Sequence, residues 1–142
     1  MKNSTHLTWL EGMSFKSTQH GHDIIIDADE KVGGTDKGSR PKVLLLTALA
    51  GCTGMDVVSI LNKMKVTDYK LEISVDGELT EEHPKIYHSI TVTYDFIGNQ
   101  LPEDKIKRAV ELSETKYCGV SAMLRKASQI TNIIRINKGE IS

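Results

Sequence analysis

The chain is 142 residues long, with 39% hydrophobic residues, 26% charged residues and a formal net charge of −1. That length suits a single domain, residues 1–142, able to bury a core without staples. The near-neutral balance argues against nucleic-acid and membrane-surface binding, both of which call for clustered positive charge. Two cysteines are too few for a disulfide scaffold. The five histidines, His6, His20, His22, His83 and His88, fall in no HExxH pattern, and there is no CxxC, so no metal site is expected.

Met1 to Leu10 carries no long apolar stretch and no cleavage-like site, so no signal peptide is read there and a cytoplasmic location is expected. Leu7 and Trp9 alternate with polar neighbours, Glu11-Gly12 makes a turn, and Met13 and Phe15 alternate again. A second turn at Gln19–His22 leads into a short apolar strand, Ile24-Ile25-Ile26. Asp27 to Ser39 is polar and glycine-rich and reads as a long loop; loops of this length in compact domains are often functional or pack on a partner.

The pattern changes at Ser39-Arg40-Pro41. Ser39 is a plausible helix cap, and Pro41 suits a first helical turn because its missing N–H has no partner to lose there. The helix is expected to run to about Met64. Its apolar residues, among them Val43, Leu46, Leu49, Met55, Val58 and Leu61, lie on nearly every side, as in a helix that is central rather than a surface cover. A membrane span would need about 20 mostly apolar residues. Thr47, Gly51, Thr53, Asp56 and Asn62 interrupt this run, so it reads as a core helix. Gly51 and Gly54 each cost about 1 kcal/mol against alanine in a helix, which implies a close neighbour at that turn.

Two alternating strands follow, one through Tyr69, Leu71, Ile73 and Val75, the other through Ile86, His88, Ile90, Val92, Tyr94 and Phe96. The second would place His88 on its buried face. An amphipathic helix opens at Pro102-Glu103-Asp104 with Ile106, Ala109 and Val110 inside. A helical stretch from about Cys118 to Ala127 would bury Val120, Met123, Leu124 and Ala127, and a strand over Ile130–Asn137 closes the chain. The order β-β-β-α-β-β-α-α-β is α+β with a mostly antiparallel sheet. One sheet covers one side of the long helix, so association with a second chain is expected on physical grounds.

A free cysteine in an apolar helix is by default a small, inert core residue. Two features argue for more. Cys52 sits in a Gly-Cys-Thr-Gly turn that leaves room around sulfur, and Cys118 occupies a plausible helix start, which would lower its pKa and favour the nucleophilic thiolate. Bridging them requires Cα atoms within about 7 Å, which sequence alone does not test. Asp56, four residues after Cys52 and on the same face, is read as pairing with a basic residue or as part of the helix's polar side.

Trp9-Leu10-Glu11-Gly12-Met13-Ser14-Phe15 and Gly21-His22 resemble the N-terminal strands of the osmotically inducible/organic hydroperoxide resistance superfamily (OsmC/Ohr). Pro41–Cys52 continuing through Asp56–Leu61, and Lys116-Tyr117-Cys118 with the Leu124 helix, resemble the family's two cysteine segments. The resemblance implies an OsmC-like fold, with mostly antiparallel sheets wrapped around long central helices in an intertwined homodimer. It also implies thiol peroxidase chemistry: Cys52 would attack an organic hydroperoxide, Cys118 would resolve the resulting sulfenic acid, and an external dithiol would reset the pair without metal, haem or flavin. Peroxidases of the family carry a glutamate just after the helix-opening proline and an arginine from the N-terminal strands. Here Lys42 and Val43 follow Pro41, and no arginine precedes Arg40. A thiolate in an apolar site needs a cation, and Arg40, Lys42 and Lys16 are the candidates. Arg40 lies about 18 Å from Cys52 along a straight helix, so it would have to reach back from the loop or come from the partner chain. The alternative is a non-catalytic, small-ligand-binding or redox-sensing dimer that kept the fold; a dimer with two inert thiols is the plainest reading.

Overall fold

The computed structural model describes residues 1–141 and divides into two compact units, Met1–Leu45 and a second beginning at Leu46. In the first, β1 (His6–Glu11), β2 (Ser14–Gln19) and β3 (His22–Ile26) form an antiparallel sheet in the order β1-β2-β3. The hairpin turns fall where the sequence places them, with Gly12 and Gly21 at positive φ, +54° and +78°, the region glycine enters without steric cost. Leu7, Leu10, Met13, Phe15 and Ile25 stay exposed, and Trp9 is 63% exposed.

The polar loop after β3 is organised by one carboxylate. Asp27, 2% exposed, accepts hydrogen bonds from the backbone N–H groups of Ala28, Thr35 and Lys37 at 2.7, 3.2 and 3.1 Å and from the Thr35 hydroxyl at 3.0 Å. Those donors, the Lys37 and Ala28 amides foremost, hold its pKa down to about 2 against the opposing effect of burial. The loop folds so tightly that a Cβ on Gly34 would run into the Ala28 carbonyl, and one on Gly38 into the Ile25 carbonyl. Ser39 is not the helix cap. Its backbone pairs with Ile25 and Asp27 in a bridge beside β3, and the Arg40 carbonyl accepts the helix's first bond from Leu44 N–H.

The long helix α1 spans Pro41–Lys63, close to the expected bounds. In the second unit, β4 (Lys70–Leu79), β5 (Tyr87–Ile97), β6 (Gln129–Ile136) and β7 (Gly139–Ile141) form a sheet in chain order, antiparallel except for the parallel β5–β6 pair. The crossover between β5 and β6 carries α2 (Glu103–Leu112) and α3 (Gly119–Leu124). Ile90, Val92, Tyr94 and Phe96 of β5 form one core with Leu49, Val57 and Leu61 of α1 and Ile106, Ala109 and Val110 of α2. Fully burying one such aliphatic side chain contributes about 1.5–3 kcal/mol, so these contacts fix α1 against the sheet.

His88 departs from the alternation. Leu79 pairs with Tyr87 and Glu78 with Ser89, so His88 is the extra residue of a β-bulge. Tyr87 takes the inward place, and His88 is exposed, 3.9 Å from Glu78. In α3, Val120 and Leu124 are half-buried as expected, whereas Met123 is 67% exposed; Ala127 is exposed and lies beyond the helix, which stops at Leu124.

The apolar surface of α1 is only partly used. Val43, Leu45 and Val58 are exposed, and Met55 is 76% exposed. By length and composition α1 could cross a membrane, with a mean hydropathy of 1.9 over its most apolar 18 residues.

Candidate functional site

The site lies within the second unit, where three segments meet. Cys52 and Asp56 share a face of α1, since residues four apart on a helix are neighbours. Cys118 arrives from the far end of α2, where Ser113–Tyr117 forms a widened π-type turn closed by Cys118 N–H to Ser113 O at 2.8 Å. The Cys52 sulfur, an Asp56 carboxylate oxygen and the Cys118 sulfur all lie within 4.8 Å of one another. The structure thus brings together two cysteines 66 positions apart.

Of the two readings of Asp56, pairing with a base is not met among the described residues. Asp56 Oδ2 accepts the Ser113 hydroxyl at 2.9 Å, which aims the carboxylate at the sulfurs. Sequence reasoning missed this because Ser113 lies 57 residues away; the i, i+4 spacing to Cys52 was the only available signal. Gly54 meets the expectation of a close neighbour: a Cβ there would stand 2.9 Å from Ile73 Cδ1. Gly51 does not, since it faces open space in the single chain.

Cys118 is the N-terminal cap of α3, and its sulfur accepts Ser121 N–H at 3.2 Å. The expected low pKa is nonetheless reversed. With the side chain 3% exposed, burial pushes the thiol up to about 11; a hydrogen bond with Cys52 and the charges of Cys52 and Asp56 add to it, and the Ser121 N–H only partly offsets them. Burial thus favours the protonated form of the Cys118 thiol. Cys52 is half-buried and more accessible. Tyr94 borders the site, 1% exposed; burial drives its phenol up to about 12 although a hydrogen bond with Thr53 pulls the other way. Beside Asp56 opens a cleft of about 320 Å³ lined by Ile60, Lys63, Met64, Leu112 and Tyr117.

The three candidate cations belong to the first unit. Arg40 is already engaged, with its guanidinium 2.8 Å from Asp36, 3.7 Å from Asp29, and donating to Gly38 O at 2.9 Å. The Asp36 hydrogen bond pushes its pKa further up. Lys16 is half-buried on β2 and Lys42 is exposed in the first turn of α1.

The mixed fold, with two sheets and three α-helices, is shared with solved OsmC-like proteins. The profile of that family, described as "OsmC-like protein", matches residues 34–132, and the chain belongs to it. Among individual relatives, the chain is 36% identical to "Protein YhfA" of Escherichia coli K12 over 125 residues, covering 87% of this chain and 90% of that one. A hypothetical protein from Aquifex aeolicus superimposes with a TM-score of 0.85 at 28% identity, over 96% of this chain and 97% of that one. The organic hydroperoxide resistance protein OhrB of Bacillus subtilis shares the fold, with a TM-score of 0.61 at 18% identity over 94% and 98% of the two chains.

Proposed function

We propose that the protein is a thiol-dependent reductase of organic hydroperoxides. The observation that carries this reading is the meeting of Cys52, Cys118 and Asp56 within 4.8 Å. The accessible Cys52 thiolate attacks the terminal peroxide oxygen, the O–O bond breaks with the terminal OH passing to sulfur as a sulfenic acid, and the departing alkoxide takes a proton from water and leaves as the alcohol. The Cys118 sulfur then displaces that hydroxyl, forming the disulfide and releasing water. Because burial favours the protonated Cys118 thiol, this second step needs a base, and Asp56, held by Ser113, is the carboxylate in reach. An external dithiol restores both thiols, with no bound cofactor.

The working form is a homodimer in the cytoplasm. Leu49, Val57 and Leu61 of α1 are already packed in the chain's own core, so lipid could meet only the remaining face. A second copy covers Leu45, Met55 and Val58 as well as the apolar face of the N-terminal sheet, surfaces larger than isolated exposed residues explain. The thiolate's cation then comes from Arg40, Lys42 or Lys16 in this dimer.

One equivalent of cumene hydroperoxide should yield a Cys52–Cys118 disulfide within each chain, read by non-reducing peptide mapping. Cys118→Ser should accumulate a dimedone-reactive sulfenic acid at Cys52. Adducts on neither cysteine would overturn the reading. Arg40's engagement by Asp36 and Asp29 favours a second reading, a redox-sensing dimer; it predicts the same disulfide but no turnover with a dithiol reductant.

A further inference from the structure

We propose that the reduced site also binds a thiophilic divalent cation of the zinc class, with Cys52 Sγ, Cys118 Sγ and the Asp56 carboxylate as its three protein ligands. The inference holds whether or not the pair reduces hydroperoxides, because it concerns the reduced protein without peroxide.

The geometry fits with little movement. Zinc takes Zn–S bonds of about 2.3 Å and Zn–O bonds of about 2.0–2.2 Å, so tetrahedral ligands stand roughly 3.5–3.8 Å apart. The three donor atoms here already lie within 4.8 Å of one another, and closing the set needs shifts of about 1 Å, within reach of side-chain rotation. Three protein ligands with a fourth position open is the stoichiometry of zinc sites that keep an exchangeable water. Two sulfurs select zinc, cadmium or cobalt over magnesium and calcium, which take all-oxygen sets.

The ligands are also oriented from behind, as metal ligands are. Ser113 donates to Asp56 Oδ2 at 2.9 Å, and Ser121 N–H donates to Cys118 Sγ at 3.2 Å. Cys52 and Asp56 ride on one helix whose neighbours Leu49, Thr53 and Val57 are buried, so two of the three ligands sit on a rigid element. The cleft beside Asp56, bordered by Ile60, Lys63 and Tyr117, gives an ion a path to the carboxylate. A bound cation engages the same sulfur electron pairs that attack a peroxide, so loading and oxidation exclude each other: metal protects the thiols, and disulfide formation expels the metal.

The test is anaerobic titration of the reduced full-length chain with cobalt(II). The expected result is one cobalt per chain with thiolate-to-metal charge transfer in the near ultraviolet and strong tetrahedral visible bands, all displaced by zinc. Cys52→Ser and Cys118→Ser should each remove most of the charge-transfer intensity. Asp56→Asn should retain it with binding weakened by more than the roughly 10–100-fold expected of an outer-shell change such as Ser113→Ala. Wild-type protein oxidised to the disulfide should not bind, which tests the sulfurs without relying on a variant that must fold. No charge-transfer band, unchanged affinity in Asp56→Asn, or binding that survives loss of the thiols would each overturn the proposal; the last would move the metal to groups such as His20 and His22.

Discussion

Gly54 lies two residues from Cys52 and sets how closely α1 approaches β4, and a double-mutant cycle with Ile73 tests that reading. Replacing a helical glycine with alanine stabilises by about 1 kcal/mol. At this position the new Cβ would stand 2.9 Å from Ile73 Cδ1, a contact that must be relieved. Because the obstructing atom is the tip of a half-buried side chain, relief comes from turning Ile73 off its rotamer at about 0.5–1.5 kcal/mol. Gly54→Ala alone should therefore change stability by less than about 0.5 kcal/mol, the two effects nearly cancelling. In an Ile73→Val background the obstructing methyl is gone, and Gly54→Ala should recover its full gain of about 1 kcal/mol. Urea unfolding at one fixed protein concentration, followed by circular dichroism, gives all four corners. The expected coupling is about 0.5–1.5 kcal/mol. Additivity within about 0.3 kcal/mol would refute the close approach of helix and strand.

Three further outcomes follow from groups on the page. Asp27 has its folded pKa near 2 against an ordinary 3.8. Its contribution to the loop is therefore complete above about pH 4 and lost as pH falls toward 2; Trp9, in the same unit, should report an acid transition in fluorescence across that window that Asp27→Asn removes. Tyr94, pushed up from 10.0 to about 12, favours the folded state fully below pH 10 and loses that advantage as pH rises through 12; Tyr94→Phe should flatten alkaline unfolding between those values. Val58→Glu places a charge on the exposed face of α1 and should convert the proposed dimer to monomers in sedimentation equilibrium, whereas a dimer mass unchanged from wild type would exclude α1 from the proposed interface.

Much of the fold was legible because it rests on local periodicity. Leu71, Ile73 and Val75 alternate with Glu72, Ser74 and Asp76 in both sequence and structure, and Ile106, Ala109 and Val110 form the inner face of α2. The failures share a cause, since each depends on pairing or closure distant in sequence. The bulge that turns His88 outward is set by its register against Glu78 and Leu79. At the site, the two cysteines were legible through the residues around them, but the thiol chemistry was not. A helix start predicts a low Cys118 pKa, and burial beside Cys52 outweighs it. The role of Asp56 depends on Ser113, placed by a π-type turn that no periodicity announces.

The most direct test of the peroxidase reading is stopped-flow oxidation of the fully reduced protein by cumene hydroperoxide and by hydrogen peroxide, following thiol loss, with Cys52→Ser as control. The account predicts fast loss of two thiols per chain, a preference for the organic peroxide, and abolition by Cys52→Ser. Oxidation no faster than that of a free thiol, or equal in Cys52→Ser, would contradict it.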